Sequence, residues 1–120
     1  MNNSDLLNVA KEFGSPVYVY DSEKITSQYQ RLTSAFKNVK NLKLNYAVKA
    51  LSNVAILKLM NSLGSGLDTV SLQEVQLGLM ADFKPEDIIF TPNGVSLEEI
   101  EEVAKLGVQI NIDNLSILEK

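Results

Sequence analysis

Most of the chain alternates between short apolar runs and amphipathic stretches with helical periodicity. From Tyr46 onward the predicted order is strand, helix, strand, helix, strand, helix, strand, helix. Such an alternation specifies parallel strands that are joined by right-handed helical crossovers. The predicted strand ends follow one another at intervals of 19, 25 and 20 residues: Lys49, Asp68, Asn93 and Asp113. This regularity favours a (β/α) barrel over an irregular α/β sheet.

A full (β/α)8 barrel needs roughly 200 residues or more. The 120 residues of this chain, which end inside the last predicted helix, are therefore expected to form the first half of a (β/α)8 TIM-type barrel. We expect the chain to be a piece of a longer protein.

Turn and capping residues mark where the predicted elements begin and end. Gly14 and Gly64 are typical of helix ends, and residues 71–74 and 96–99 have the form of capping boxes. The predicted helices cover residues 4–13, 22–36, 53–63, 71–79 and 96–106, with a last helix from near 115, and the predicted strands cover 16–20, 42–50, 66–70, 88–91 and 108–112. Ser22 is the expected N-cap of the second helix.

Composition and charge exclude several classes of function. Hydrophobic residues make up 45% and charged residues 22% of the chain, which is an ordinary globular balance. A net charge of −4 without a Lys/Arg cluster disfavours nucleic-acid binding through phosphate contacts. The absence of Cys and His removes disulfides, thiolate chemistry and His-ligated metals from this segment. No apolar run is long enough to cross a bilayer and no basic stretch opens the chain, so we expect a cytoplasmic protein.

Lys49 is the first candidate for chemistry. Large apolar side chains alternate with other residues over 42–50, which predicts a strand. Lys49 then stands at the carboxyl end of that strand, where α/β folds carry their active sites. A solvated surface charge is the commoner role of a lysine, but here the small Ala47 and Asn45 share its face and leave room for a flat ligand. A lysine in such a place can act as a Schiff-base nucleophile.

Asp68 is the second candidate, because it lies between apolar residues of the next predicted strand. A carboxylate in that position is costly unless it is paired. Consecutive strands of a barrel are neighbours, so Asp68 and Lys49 are expected to converge at one mouth; a structural ion pair is the alternative role for Asp68. The other polar residues near strand ends are better explained as helix caps or turns: Ser71, Glu74, Asn93, Ser96, Glu99 and Asp113.

Several blocks of sequence, in register along nearly the whole chain, resemble the alanine-racemase-like barrel decarboxylases that depend on pyridoxal phosphate. The block that looks like the cofactor-lysine motif of this family is Tyr46-Ala47-Val48-Lys49-Ala50, and the one similar to its next block is Gly64-x-Gly66-x-Asp68-x-x-Ser71-x-x-Glu74. The remaining blocks lie at residues 16–21, 85–94 and 111–113. Within the family, the set most resembles the members that decarboxylate meso-diaminopimelate to L-lysine and carbon dioxide.

The resemblance implies a cofactor and its site residues. Lys49 is implied to be the catalytic residue and to hold pyridoxal 5'-phosphate through a Schiff base. Asp68 is implied to lie near that linkage and to help fix its protonation, and Ala47 to border the cofactor. The residues that bind the phosphate, the ring and the substrate are implied to come from later in the chain.

The resemblance also implies a domain organisation and an assembly. Residues 1–21 are implied to carry a strand that joins a second, C-terminal β-domain, and residues 22–120 to form the partial, cofactor-binding barrel. The full-length enzyme is implied to act on a small amino acid, to work as a homodimer and to bind neither nucleic acid nor membrane.

Three positions depart from the family pattern. Leu51 stands where a polar residue is common, Asp82 where glycine is usual before an aromatic residue, and Val95 where lysine is frequent. None of them is Lys49 or Asp68, so the departures bear on the substrate and not on the cofactor.

Three other interpretations stay open from the sequence. A sister decarboxylase of the same fold would act on ornithine, arginine or carboxynorspermidine, and this part of the chain separates those substrates poorly. A non-catalytic half-barrel fragment would lack most cofactor contacts and expose an unpaired sheet edge. A barrel aldolase would use a Schiff-base lysine without any cofactor.

Overall fold

The computed structural model describes residues 1–112 and 114–119, and the chain divides into two compact units, Met1–Lys37 and Asn38–Lys120. Asp113, which was expected to end the fourth barrel strand, lies outside the described residues. Among the helices of the described ranges, none combines the length and the hydropathy that a bilayer crossing requires.

The first unit contains two helices, α1 (Asn3–Phe13) and α2 (Ser22–Ala35). Both lie where the helical periodicity predicts them. Gly14 ends α1 with a φ of 85°, and its N–H donates to the Ala10 carbonyl oxygen over 3.0 Å. A positive φ carries little penalty for glycine alone, which is why the helix ends there.

Asp21, rather than the predicted Ser22, is the N-cap of α2. Its Oδ1 accepts a hydrogen bond from the Lys24 N–H at 3.0 Å, and its Oδ2 accepts one from the Met1 ammonium at 3.1 Å. The carboxylate satisfies an N–H that the helix leaves unpaired and places negative charge at the positive end of the helix. The hydrogen bond from the Lys24 N–H, followed in size by the one from the Met1 ammonium, holds the pKa of Asp21 below its ordinary value. In turn, the Asp21 carboxylate raises the pKa of the Met1 ammonium.

The strand predicted at residues 16–20 is absent from the described chain. A strand exists through hydrogen bonds to a neighbouring strand, and the sheet that the described residues form has other members. The side chains of this segment are exposed, with Tyr18 89% accessible. The pairing of residues 16–20 with a second, all-β domain stays a prediction.

The second unit is built on four parallel strands, which lie side by side in chain order. They are β1 (Asn45–Ala47), β2 (Gly66–Thr69), β3 (Ile88–Phe90) and β4 (Gln109–Ile110). Consecutive β/α units produce this order of parallel neighbours. The predicted parallel α/β arrangement is confirmed.

The first strand of the sheet, β1, is shorter than predicted. Of the predicted strand at 42–50, only Asn45–Ala47 is strand, and Val48–Ala50 forms a 3-10 turn. Val48 is nevertheless fully buried, as a strand residue at that position would be. The alternating pattern therefore continued past the true end of the strand.

Helices follow the strands at the predicted places: α3 (Val54–Ser62), α4 (Leu72–Met80), α5 (Leu97–Lys105) and α6 (Leu115–Leu118). Asn53 caps α3, because its side chain accepts hydrogen bonds from the N–H groups of Ala55 and Ile56. A second 3-10 turn, Pro85–Asp87, precedes β3 where a turn was predicted.

The two faces of the sheet have different surroundings. Four side chains of β2 and β3 are fully buried on one face: Leu67, Thr69, Ile88 and Phe90. Helix α4 packs over this layer. On the opposite face Asp68 and Ile89 stand side by side and are half-buried. The candidate carboxylate thus lies on the face away from α4.

Gly78 allows α4 to lie close to the buried layer. A Cβ added at Gly78 would lie 2.7 Å from Leu67 Cδ1 and 3.1 Å from Ile88 Cδ1. Both neighbours are fully buried, so neither has free space to move into. The missing side chain at Gly78 therefore sets the distance between helix and sheet.

Asp82, which stands where the family pattern has glycine, has a φ of 66°. Few residues adopt this left-handed backbone, but aspartate is among those that tolerate it. A left-handed backbone at this position explains why glycine is usual here. The departure at Asp82 is therefore a matter of local conformation.

We predict that Gly78→Val lowers the free energy of unfolding by about 2 kcal/mol, because a branched side chain would be forced against two buried neighbours. Gln76→Val is the matched control: it adds the same side chain at an exposed position of the same helix, where the change should stay within about 0.5 kcal/mol. Urea unfolding of the two full-length variants measures the difference. Equal stability of the two would contradict the close packing of α4 on the sheet.

Candidate functional site

The sequence predicts Lys49 at the end of the first strand, but it lies in the 3-10 turn that directly follows β1. The residue is exposed, whereas Val48 beside it is fully buried and anchors the turn in the core. The Leu51 N–H donates to the Val48 carbonyl oxygen at 3.0 Å, and the Tyr46 hydroxyl donates to the Leu51 carbonyl oxygen at 3.1 Å. These two hydrogen bonds bracket Lys49 and fix the backbone from which its amine extends.

Ala47 and Asp68 stand opposite each other on neighbouring strands. Ala47 is the last residue of β1, and the ladder pairs it with Asp68 of β2. Because paired residues point to the same face of a sheet, the small side chain of Ala47 leaves space beside the carboxylate. Both residues are half-buried. Lys49 follows Ala47 by two residues, so all three predicted site residues lie around the carboxyl ends of β1 and β2.

Asp68 is held by a chain of hydrogen bonds that crosses to β3 and β4. Thr91 Oγ1 donates to Asp68 Oδ1 at 2.9 Å, and Asn111 Nδ2 donates to Thr91 Oγ1 at 3.1 Å. The partner that satisfies this half-buried carboxylate is thus a neutral hydroxyl. In the part of the chain that the structure describes, the ion pairs involve other carboxylates: Asp21, Asp82, Glu86 and Asp87.

Neither Thr91 nor Asn111 is predicted from the sequence to belong to the site. The information was present in the ladder, because Thr91 follows β3 and Asn111 follows β4, each two residues beyond a residue on the Asp68 face. Because side chains alternate between the two faces of a sheet, residues two positions apart share a face, and Thr91 and Asn111 therefore lie on the face of Asp68. Without the strand register, however, their side chains could not be connected to Asp68.

Ser71 and Ser96 are the N-caps of α4 and α5, as predicted, but the capping boxes expected at 71–74 and 96–99 are incomplete, because Glu74 and Glu99 accept hydrogen bonds from N–H groups other than those of the two serines. Each serine Oγ accepts a hydrogen bond from the N–H of the glutamate three positions later, at 3.2 Å. Glu74 Oε2 also accepts from the Val70 N–H, and Glu99 Oε1 from the Leu72 N–H, both at 2.8 Å. Glu99 of α5 therefore caps α4, immediately after the turn that follows β2.

Asn93 and Lys43 have different surroundings. Asn93 is exposed in the turn after β3, as predicted, and Gly94 beside it has a φ of 70°. At the amino-terminal end of the sheet, Lys43 Nζ pairs with Asp87 Oδ1 at 2.6 Å. The two lysines of the 42–50 pattern therefore separate: Lys43 belongs to an ion pair at one end of the sheet, and Lys49 stands at the other.

A family model described as "Pyridoxal-dependent decarboxylase, pyridoxal binding domain" matches residues 22–120. The diaminopimelate decarboxylase of Methanothermobacter thermautotrophicus is 37% identical over 119 residues, which is 98% of this chain and 28% of that relative. The chain thus spans less than a third of the length of this curated relative.

Two solved structures agree with this match. The diaminopimelate decarboxylase from Helicobacter pylori in complex with L-lysine matches with a TM-score of 0.84 and 38% identity, over 98% of this chain and 29% of that chain. The corresponding protein from M. jannaschii, in co-complex with L-lysine, has a TM-score of 0.87 and 32% identity, over 95% of this chain and 28% of that one. These likenesses confirm the predicted first half of a barrel.

We predict that Tyr46→Phe lowers the free energy of unfolding by about 1 kcal/mol, because the Leu51 carbonyl loses its hydroxyl donor. The same change should speed hydrogen exchange of the Leu51 amide, which closes the turn around Lys49. Ser34→Ala, which removes a hydroxyl at an exposed position of α2, is the control; it should leave the exchange of the Leu51 amide unchanged and shift the free energy of unfolding by no more than about 0.5 kcal/mol. Unfolding and amide exchange of the full-length protein measure both, and an unchanged Leu51 amide in Tyr46→Phe would refute the role of this hydroxyl.

Proposed function

The chain belongs to the pyridoxal-dependent decarboxylases, as part of their pyridoxal-binding domain, and from this premise we propose that the full-length protein decarboxylates meso-diaminopimelate to L-lysine and carbon dioxide. The observation that carries the proposal is the exposed Lys49 on a fixed turn, beside Ala47 and Asp68 at the carboxyl edge of the sheet. The names of the similar proteins support diaminopimelate as the substrate over ornithine, arginine or carboxynorspermidine.

The residues of this edge fit the cofactor that the family uses, pyridoxal 5'-phosphate. Covalent attachment needs an accessible primary amine, and Lys49 is exposed on a turn that Val48 anchors in the core. A flat ring needs a wall without bulky side chains, which Ala47 provides. A carboxylate that keeps one orientation is present in Asp68, through its hydrogen bond with Thr91.

Each of these residues has a distinct role in the proposed reaction. When bound, the cofactor supplies an electron sink for the electrons that remain as carbon dioxide leaves. Lys49 Nζ would hold the cofactor covalently, and its amine would serve in proton transfer and in release of the product. The Asp68 carboxylate fixes the position and the protonation of the linkage that Lys49 forms. Ala47 borders the ring.

The proposal extends to the organisation of the full-length protein. Residues 22–120 form the partial barrel, which is the range that the family model matches, and residues 1–21 carry the segment that pairs with a second, C-terminal β-domain. The protein is a cytoplasmic homodimer and catalyses the last step of lysine biosynthesis. The resemblance to the barrel decarboxylases supports these finer statements.

We predict that Lys49→Ala in the full-length protein abolishes carbon dioxide release from meso-diaminopimelate, with a loss of at least about a thousandfold, because no other group replaces a covalent amine. The absorbance band of the covalently held cofactor should disappear with it. Lys58→Ala is the matched control, since Lys58 is a partly exposed lysine that pairs with Asp82 on the surface at 3.2 Å, and it should retain near wild-type activity.

The same assay tests the substrate. Wild-type protein should release carbon dioxide from meso-diaminopimelate in preference to ornithine, arginine and carboxynorspermidine. A preference for one of the other three would assign the protein to a sister decarboxylase. Activity of Lys49→Ala close to that of Lys58→Ala would refute the assignment of Lys49.

A further inference from the structure

The hydrogen bonds around Thr91 can run in one direction only. A hydroxyl carries a single proton, and an ionised carboxylate accepts hydrogen bonds without donating any. Thr91 Oγ1, which lies 2.9 Å from Asp68 Oδ1, must therefore give its proton to Asp68. Its lone pair then receives the Asn111 Nδ2 proton at 3.1 Å. The chain runs from the Asn111 amide through Thr91 to the carboxylate.

The backbone holds both donors of this chain in place. The Thr91 N–H donates to the Thr69 carbonyl oxygen and the Asn111 N–H to the Phe90 carbonyl oxygen, each at 2.8 Å. These bonds continue the parallel ladder beyond the ends of β3 and β4. Threonine is also stiff at χ1, because it is branched at Cβ. The position of the Thr91 hydroxyl beside Asp68 is therefore set by the protein backbone itself.

From this geometry we propose that Thr91 and Asn111 are positioning residues, which hold the Asp68 carboxylate in one orientation beside the cofactor lysine; the inference rests on the proposed roles of Lys49 and Asp68. Because Oδ1 is bonded to Thr91, the carboxylate does not rotate freely. Its second oxygen, Oδ2, keeps one direction on the face that Asp68 shares with Ala47.

A purely structural role would have a different signature. Thr91 is half-buried and Asn111 is exposed, so the hydrogen bond between them contributes little to stability. A structural role would change the unfolding transition alone. A positioning role changes the chemistry of the cofactor site while the unfolding transition stays nearly constant.

The test compares Thr91→Val, which keeps the shape and removes the hydroxyl, with Thr91→Ser, which keeps the hydroxyl. The first measurement needs no cofactor: the side-chain amide resonances of Asn111 are followed by NMR in the full-length apoprotein. We expect Thr91→Val to shift these resonances and to speed their hydrogen exchange. Thr91→Ser should leave them close to their wild-type values.

The second measurement is the pH midpoint of the cofactor absorbance in the loaded full-length protein. We expect Thr91→Val to move this midpoint by about one pH unit, in the same direction as Asp68→Asn, and to lower kcat/KM about tenfold. Thr91→Ser should restore both. Asn111→Ala removes the distal donor at an exposed position and should give a smaller shift in the same direction, which keeps the test decisive if Thr91→Val does not fold.

The outcomes separate the two proposals. If Thr91→Val left the Asn111 resonances unchanged, the hydrogen bond between Asn111 and Thr91 would not exist in the protein, and the inference would be overturned. Altered Asn111 resonances with wild-type absorbance midpoints in both Thr91→Val and Asn111→Ala would show that the chain does not position Asp68, and would overturn it as well. Failure of the wild-type protein to bind pyridoxal 5'-phosphate would instead overturn the proposed function, and the positioning role would fall with it.

Discussion

The parallel hydrogen-bond ladder of β1 to β4 is the constraint on which the rest of the second unit depends. It pairs Ala47 with Asp68 and Asp68 with Ile89, and so assigns every strand residue to one of two faces. A slip of one residue in β2 would exchange Asp68 with Leu67, and a carboxylate would then face the dry layer under α4 at a large cost in desolvation. The buried apolar layer and the polar face therefore specify each other. The same register brings the carboxyl ends of the strands, with Lys49 after the first of them, to one edge.

The order and type of the elements could be predicted from the sequence because apolar periodicity and capping residues act locally. The errors arose where a local pattern depends on a distant partner. Val48 is buried within a 3-10 turn and so imitated a strand residue. Residues 16–20 have strand-like side chains, and their pairing with a second domain stays a prediction. Asp21 is the cap in place of Ser22, and its carboxylate both accepts the Lys24 N–H and places negative charge at the helix start. The Thr91 and Asn111 hydrogen bonds needed the register of three strands, which no single stretch of sequence contains.

Lys49 has a flexible side chain, but its backbone is held in a fixed position by the surrounding turn. Lysine carries four rotatable bonds and loses entropy wherever it is held, so precision has to come from its backbone. Here a buried Val48 on one side and the Tyr46 hydroxyl on the other fix the turn. The departure from the family pattern at Asp82 does not affect this turn. Asp82 lies just after α4 and adopts the left-handed backbone conformation that this position needs. Packing and chemistry are thus divided between the two faces of one short sheet.

The most direct test of the central claim is borohydride reduction of the full-length protein with pyridoxal 5'-phosphate, followed by peptide mapping. Reduction makes the covalent link between cofactor and amine permanent, and a modified lysine resists trypsin. The account predicts one pyridoxyl group on Lys49, found in an uncleaved peptide that covers residues 44–58. An adduct on another lysine such as Lys43, or no adduct at all, would contradict the assignment of this edge of the sheet as the cofactor site.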